Sequence, residues 1–251
     1  MPWNPEIYLK FREQRYEPFK DLMAMVRVRP GLRAVDLGCG NGELTRRLAD
    51  ALPDSEILGI DASAEMLSTA AEQIRPGLTF EKRSIEDLEG NWDLIFSHAA
   101  IQWVPDHRRL VPRLLQHLNP GGQLVVQIPA NFSHPTHRLI EAVAEEEPFR
   151  TAFNGYQKQF YVLGIDEYAE ILNAAGGMNL TVIGKIYSHY LENSDQLAEW
   201  MSGTALIPYM ENLPTEFHEP FMDRYRARLR EVFPRSPVFF GFERVLFSAS
   251  K

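Results

Sequence analysis

Disulfide chemistry is the first thing the sequence excludes, because its 251 residues include a single cysteine, Cys39. One thiol cannot form an intrachain bridge, and a cytoplasmic location is expected. No apolar stretch approaches the roughly 18 residues needed for a membrane-spanning helix. The opening segment, WNPEIYLKFREQRYEP, carries charges and aromatics early and has no apolar core, so it does not read as a signal peptide. Basic residues number 26 against 34 acidic ones, a formal charge of −8, which leaves too little positive surface for a general nucleic-acid binder. There is no run of five like charges, no internal repeat and no low-complexity segment. His, Cys, Asp and Glu nowhere take metal-ligand spacing, so no metal is expected. A globular protein of one domain over 1–251 is expected, and a monomer, because no long exposed apolar helix or strand stands out.

What is present is a regular alternation. LRAVDL (32–37), SEILGID (55–61), LTFEKRS (78–84), WDLIFSH (92–98) and QLVVQIP (123–129) read as short buried strands. Between them lie GELTRRLADAL (42–52), SAEMLSTAAEQI (63–74) and HRRLVPRLLQHL (107–118), with apolar residues at helical spacing. Ser63 is the expected N-cap of the second of these, and NPGG the stop signal after the third. Such alternation implies βαβ units and a parallel sheet covered on both faces. After residue 130 the pattern changes. A helix is expected at about 134–147 and another at 166–177, then a strand at 180–191, a largely helical stretch over 194–234 and a closing strand at 237–250. The expected fold is α/β, a doubly wound, seven-stranded, mostly parallel sheet, with a helical cap inserted before the last strand.

The stretch VDLGCGNGEL places Gly38, Gly40 and Gly42 at alternate positions after the first strand, where the backbone can turn sharply and approach a ligand closely. The helix that follows presents its unpaired N–H groups there. Asp61, ending the second strand, is placed to accept both ribose hydroxyls of an adenosine. Two cofactor classes use such a turn, and the spacing separates them. The dinucleotide fingerprint needs glycine at position 43, where this chain has Glu43, a carboxylate that disfavours a pyrophosphate. Asp36, before the first glycine, suits a cationic ligand group in the same way.

VDLGCGNGELTRRL, ILGIDASAEML, WDLIFSHAAIQWVPD and LNPGGQLVVQ, in this order and spacing, resemble the class I methyltransferases that use S-adenosylmethionine. The resemblance covers 30–130 and implies a Rossmann-like cofactor core there, yielding S-adenosylhomocysteine as product. It assigns the loop of Asp36, Gly38, Cys39, Gly40 and Gly42 to the methionyl part of the cofactor and Asp61 to the ribose. Ala62 and Met66 match residues that pack on the adenosine. At Ser84 and Ile85 the family has an acid followed by a backbone contact to the adenine. Here Ser84 replaces the acid, with Glu86 and Asp87 as rivals for that contact. Ser97 and His98 match positions beside the methionyl group and the transfer site.

A narrower resemblance extends over nearly the whole chain. The N-terminal segment, HAAIQWVPDH, LNPGGQLVVQIPANFSHPTH, IYSHYL, EWMSGTALIPYMENL and FERVLFSAS are similar to the trans-aconitate methyltransferases, which methylate a carboxylate of a small tricarboxylate. Tyr8, Phe11 and Arg15 share one helix face, and the resemblance makes 1–29 a lid helix over the cofactor, with Tyr8 and Arg15 in contact with it. It leaves 131–251 as substrate cap and closing strands. A carboxylate acceptor is ionised at neutral pH, so no general acid or base is required; proximity, alignment and exclusion of water suffice. The tricarboxylate needs local donors. Gln102, Trp103, His137, Tyr209 and Arg244 are the candidates, with His134, Arg224 and Arg228 behind them. Another small acceptor (a phenol, a quinone precursor or a fatty acid) and a non-catalytic S-adenosylmethionine-binding protein remain open on the residues alone.

Overall fold

The computed structural model describes residues 12–251, with side chains from residue 16 onward. Tyr8 and the side chain of Arg15 lie outside the described residues. The first described helix, α1, runs Arg12–Ala24. Five strands and three helices then alternate: β1 (Arg33–Leu37), α2 (Glu43–Ala51), β2 (Glu56–Asp61), α3 (Ala64–Ala70), β3 (Leu78–Lys82), β4 (Trp92–His98), α4 (His107–Gln116) and β5 (Leu118–Pro129). Beyond them come α5 (Pro135–Ala144), α6 (Phe149–Phe153), α7 (Ile165–Ala174), β6 (Met178–Leu191), α8 (Ser194–Ser202), α9 (Ile207–Asn212), α10 (His218–Val232) and β7 (Val238–Ser250).

The seven strands form one sheet in the order β3-β2-β1-β4-β5-β7-β6. The pairs among β1 to β5 are parallel, and β7 runs antiparallel to β5. The strand order reverses beside β1, where β2 and β4 flank it. In open α/β sheets that reversal opens a crevice at the strands' C-terminal ends, where ligands bind.

Two apolar clusters explain why the sheet strands read as near-continuous hydrophobic runs. One packs Val35, Ile95, Leu124, Val126 and Phe247 against Val111, Leu114, Tyr168 and Leu172 of the helices. The other packs Ala34, Phe96, Val125 and Leu246 under Phe19, Leu22 and Leu48. Alternate residues of one strand therefore meet different helix layers.

The chain divides into two compact units. The larger holds Glu17–Ala130, Tyr161–Lys185 and Glu243–Lys251, and carries both clusters just described. The smaller includes Asn131–Phe160 and Ile186–Phe242, with its own core of Val143, Phe153, Trp200, Met201, Phe221, Tyr225 and Phe240.

The structure moves several expected boundaries. The helix expected over 63–74 is α-helical only to Ala70 and ends in a 3-10 turn, Ala71–Gln73. The fourth parallel connection is shorter than expected, and β5 starts at Leu118, well before the expected Gln123. Leu118 pairs with Trp92 across a register shift, so Asn119–Gly122 lies within an irregular strand, and the helix before it already ends at Gln116 with His117 as its C-cap.

Candidate active site

The loop from β1 to α2 is built by its glycines. Gly38, Gly40 and Gly42 have φ of 74°, 54° and 76°, the left-handed region that side-chain-bearing residues rarely adopt. A Cβ at Gly38 would stand 2.2 Å from the Cβ of Ala100, and one at Gly42 would stand 2.7 Å from Phe80 Cζ. A Cβ at Gly40 would meet nothing within 4 Å, so this middle turn faces open space. The Gly38 and Cys39 amides both donate to the Ile60 carbonyl, which ties the loop to the end of β2.

Asp61 completes that tie. Its Oδ2 accepts the Gly40 amide at 2.9 Å and its Oδ1 accepts the Ser63 amide at 2.8 Å. Each carboxylate oxygen has two lone pairs, so each retains one for a ligand hydroxyl. Ser63 in turn caps α3, accepting from the Met66 amide as expected for an N-cap. Ala62 is exposed and Met66 half-buried at the start of this helix. Beyond β3, Ser84 caps a 3-10 turn, Ile85–Asp87, through the Glu86 amide. Ile85 is half-buried, and its carbonyl accepts from Arg113.

Asp36 is buried at 3% exposure and accepts the Thr45 hydroxyl at 2.6 Å. Burial is the main cause that pushes its carboxyl up to about 7; the Thr45 hydrogen bond opposes the shift and the nearby Asp61 charge adds to it. Burial also pushes the Cys39 thiol up, so Cys39 packs as an apolar residue in its protonated form. The folded protein holds a proton on Asp36 that the unfolded chain releases, so stability is lost as pH rises from about 4 through about 7, by an amount on the order of 4 kcal/mol. Asp36→Asn is expected to melt close to the parent at pH 4 and clearly above it at pH 8. A constant difference between the two proteins across that range would refute the assignment.

The second wall of the crevice follows β4. Ser97 is fully buried and donates to the Leu37 carbonyl at 3.0 Å, joining the ends of β4 and β1. His98, the last residue of β4, meets the Phe19 ring edge-on at 5.9 Å. Ala99 takes φ of 52°, and its amide donates to the Gln127 carbonyl. The 3-10 turn Ile101–Trp103 holds Gln102 and Trp103, two of the residues expected to contact an acceptor. The Gln102 Nε2 donates to the Ala99 carbonyl at 2.7 Å, while its buried Oε1 has no hydrogen-bond partner among the described residues. Trp103 is 52% exposed, unusual for an indole in a folded chain and suited to a face that receives a ligand.

His107 and Tyr168 hold this turn, and neither was singled out from the sequence. His107 Nε2 bonds the Ile101 carbonyl at 2.9 Å, and Nδ1 bonds the Tyr168 hydroxyl. Burial pulls the His107 pKa down, so the ring is neutral. A carbonyl only accepts, so Nε2 carries the proton and Nδ1 accepts from Tyr168. Tyr168 lies on α7, far along the chain, and its side chain in isolation looks like one more core aromatic.

The remaining candidates behave differently. Arg244 is buried at 5% exposure in β7, in register with Pro129 of β5. In the smaller unit, Tyr209 is buried among Phe153, Tyr156 and Phe221, and burial raises its hydroxyl pKa. His137 is buried against Phe132, and burial pulls its pKa down to about 4, so it is neutral at physiological pH. His134 caps α5 by accepting from the Thr136 amide. Arg224 and Arg228 both engage Glu146, and their hydrogen bonds hold that carboxyl below its usual range. Among the described residues no group of three or more His, Cys, Asp or Glu could hold a metal, and no helix is long and apolar enough to cross a membrane.

A methyltransferase-domain family model matches residues 34–122, which takes in the glycine loop, Asp61 and the Gln102–Trp103 turn. Over 257 aligned residues, the chain is 43% identical to a trans-aconitate 2-methyltransferase of Deinococcus radiodurans, covering 100% of this chain and 99% of that protein. It is 36% identical to the trans-aconitate 2-methyltransferase of Variovorax paradoxus, covering 93% and 91%. A solved S-adenosylmethionine-dependent methyltransferase from Mesorhizobium loti superposes with a TM-score of 0.53 at 21% identity, over 92% of this chain and 96% of that one. That last likeness is one of fold alone.

Proposed function

Because the chain belongs to the trans-aconitate 2-methyltransferase family, we propose that it transfers a methyl group from S-adenosylmethionine to a carboxylate of trans-aconitate or a closely related small polycarboxylate. The acceptor half of this reading rests on the full-length likeness. The cofactor half is carried by one observation, the left-handed glycine turn whose Gly40 faces open space while its amide is locked to Asp61.

The residues fit the cofactor. Asp61 keeps a lone pair on each oxygen for the ribose hydroxyls, and Gly40 lets the backbone come close to the methionyl chain. Ala62, Met66, Ser84 and Ile85, after β2 and β3, receive the adenosine. Bound S-adenosylmethionine supplies an electrophilic methyl on a sulfonium, which the acceptor takes as an ester, leaving S-adenosylhomocysteine.

Everything else falls to this chain's side chains and backbone. The acceptor carboxylate is already ionised, so no residue has to remove a proton. The work left is positioning. Gln102 and Trp103 present the acceptor side of the crevice, on a turn that His107 and Tyr168 keep from shifting, and a shift of about 1 Å at such a site can cost on the order of 100-fold in rate.

The test uses methyl-labelled S-adenosylmethionine with a panel of tricarboxylates, dicarboxylates, phenols and amines, followed by mild alkali. Methyl esters hydrolyse and release labelled methanol; ethers and methylamines do not. Alkali-labile label with tricarboxylates is the expected result. Alkali-stable label, or no transfer to any tricarboxylate, defeats the proposal.

A further inference from the structure

Gln127 lies in β5 with none of its surface exposed, and neither its Oε1 nor its Nε2 has a hydrogen-bond partner among the described residues. A buried amide left in that state lowers stability, and folded proteins rarely keep one without a use. Its place in the sheet suggests the use. Gln127 is in register with His98 of β4 and with Leu246 of β7. Arg244 stands two residues from Leu246, opposite Pro129. Strand partners in register share a face, and so do residues two apart along one strand. His98, Gln127 and Arg244 are thus on one face of the sheet, the face of Phe96, Val125 and Leu246. Phe19 confirms the arrangement, since its ring contacts both Phe96 and His98.

Further back along the strands this face carries Ala34, Leu94, Phe96, Val125 and Leu246, with Asp36, Gln123 and Ser248 as its buried polar members. At the crevice end it becomes an imidazole, an amide and a guanidinium in adjacent positions. The backbone of Gln127 also reaches the acceptor turn, because its carbonyl accepts the Ala99 amide. One residue therefore anchors the turn that carries Gln102 and Trp103 and places an uncommitted amide beside it. A cation with an adjacent amide N–H is a donor set suited to a carboxylate.

We propose that Gln127 is a substrate-positioning residue whose amide, next to Arg244, binds a carboxylate of the acceptor that is not being methylated. This rests on the reaction proposed above. Holding a spectator carboxylate here aligns the reacting one, and it selects polycarboxylates over acids with one carboxyl group.

Gln127→Met tests this, because methionine keeps the length and burial of the side chain without hydrogen bonding. The expected variant melts at or above the parent temperature without ligand and binds S-adenosylhomocysteine within about twofold of the parent. Its KM for trans-aconitate rises at least about tenfold, the loss of one charge-assisted hydrogen bond. With a monocarboxylate acceptor, variant and parent have the same kcat/KM. Gln127→Glu, which sets a negative charge against the acceptor, is expected to lose more activity than the methionine variant. A methionine variant that melts lower with an unchanged KM, or that fails to fold, makes the amide structural and overturns the proposal. Equal losses on all acceptors overturn it too. A parent enzyme inert towards tricarboxylates defeats the functional reading itself, whereas an active parent and an unaffected Gln127→Met variant defeat only the role of Gln127.

Discussion

Gly38→Ala is expected to lower the melting temperature by roughly 6–12 °C, the effect of about 3 kcal/mol in a chain of this size. Two costs add. The residue holds φ at 74°, where a side chain costs roughly 1–2 kcal/mol. The new Cβ would also stand 2.2 Å from the Ala100 Cβ, and overpacking of that kind costs roughly 1–3 kcal/mol. Neither atom can rotate away, because both are fixed to backbone. Relief therefore requires moving Ala100, which sits between the left-handed Ala99 and the Ile101–Trp103 turn. Methyl transfer should fall by on the order of 100-fold, since the cofactor loop and the acceptor turn are displaced together. Adding Ala100→Gly removes the close contact and leaves the φ strain. The double variant is expected to recover part of the melting temperature and part of the rate. Full recovery, or none, would show that the contact between these two loops is not what limits the single variant.

Asp61→Ala should raise the dissociation constant for S-adenosylhomocysteine by at least about 100-fold, two charge-assisted hydrogen bonds at about 1.5 kcal/mol each. The same change strands the Gly40 and Ser63 amides that the carboxylate now holds. The loop and the first turn of α3 loosen with it. Asp61→Asn is the milder change. Its single oxygen keeps one of the two amides and one lone pair for a ribose hydroxyl, so stability and cofactor affinity are both expected to fall less than in Asp61→Ala. The check is calorimetric titration beside a KM for the acceptor measured at saturating cofactor. The acceptor KM should stay within about threefold of the parent, since the ordering of the acceptor turn does not pass through Asp61. Equal weakening of cofactor and acceptor would remove the ribose role.

The smaller residues of this site are positioned by the same economy of local geometry. Ser97, read from the family likeness as a neighbour of the methionyl group, donates to the Leu37 carbonyl. Its place in the proposed reaction is to hold the ends of β1 and β4 at a fixed spacing. Arg224 and Arg228, candidates for anion donors on sequence, both engage Glu146. Amphipathic helices carry arginines for such surface pairs far more often than for ligands, and sequence spacing does not separate the two uses.

What the amino-acid sequence determined by itself was everything carried by neighbours in the chain. Strand runs and helix periodicity were legible because burial on both faces of a parallel sheet demands continuous apolar runs. The glycine turn, Asp61 and the Ser63 cap were legible for a related reason: each acts on backbone within a few residues or at the end of the adjacent strand. Helix and strand ends were less so. Leu118 begins β5 early because it pairs with Trp92, a contact that no property of the NPGG segment announces. Only the tertiary structure brought together residues whose meaning depends on register. Tyr168 fixes His107 from a helix some sixty positions away. Gln127 is the last polar residue of an apolar strand until β4 and β7 are laid beside it in register, one bringing His98 and the other Arg244. A one-residue slip would send each to the opposite face. Hydrogen-bonded pairing across the sheet decides that register, and it is not encoded in any single segment of the chain.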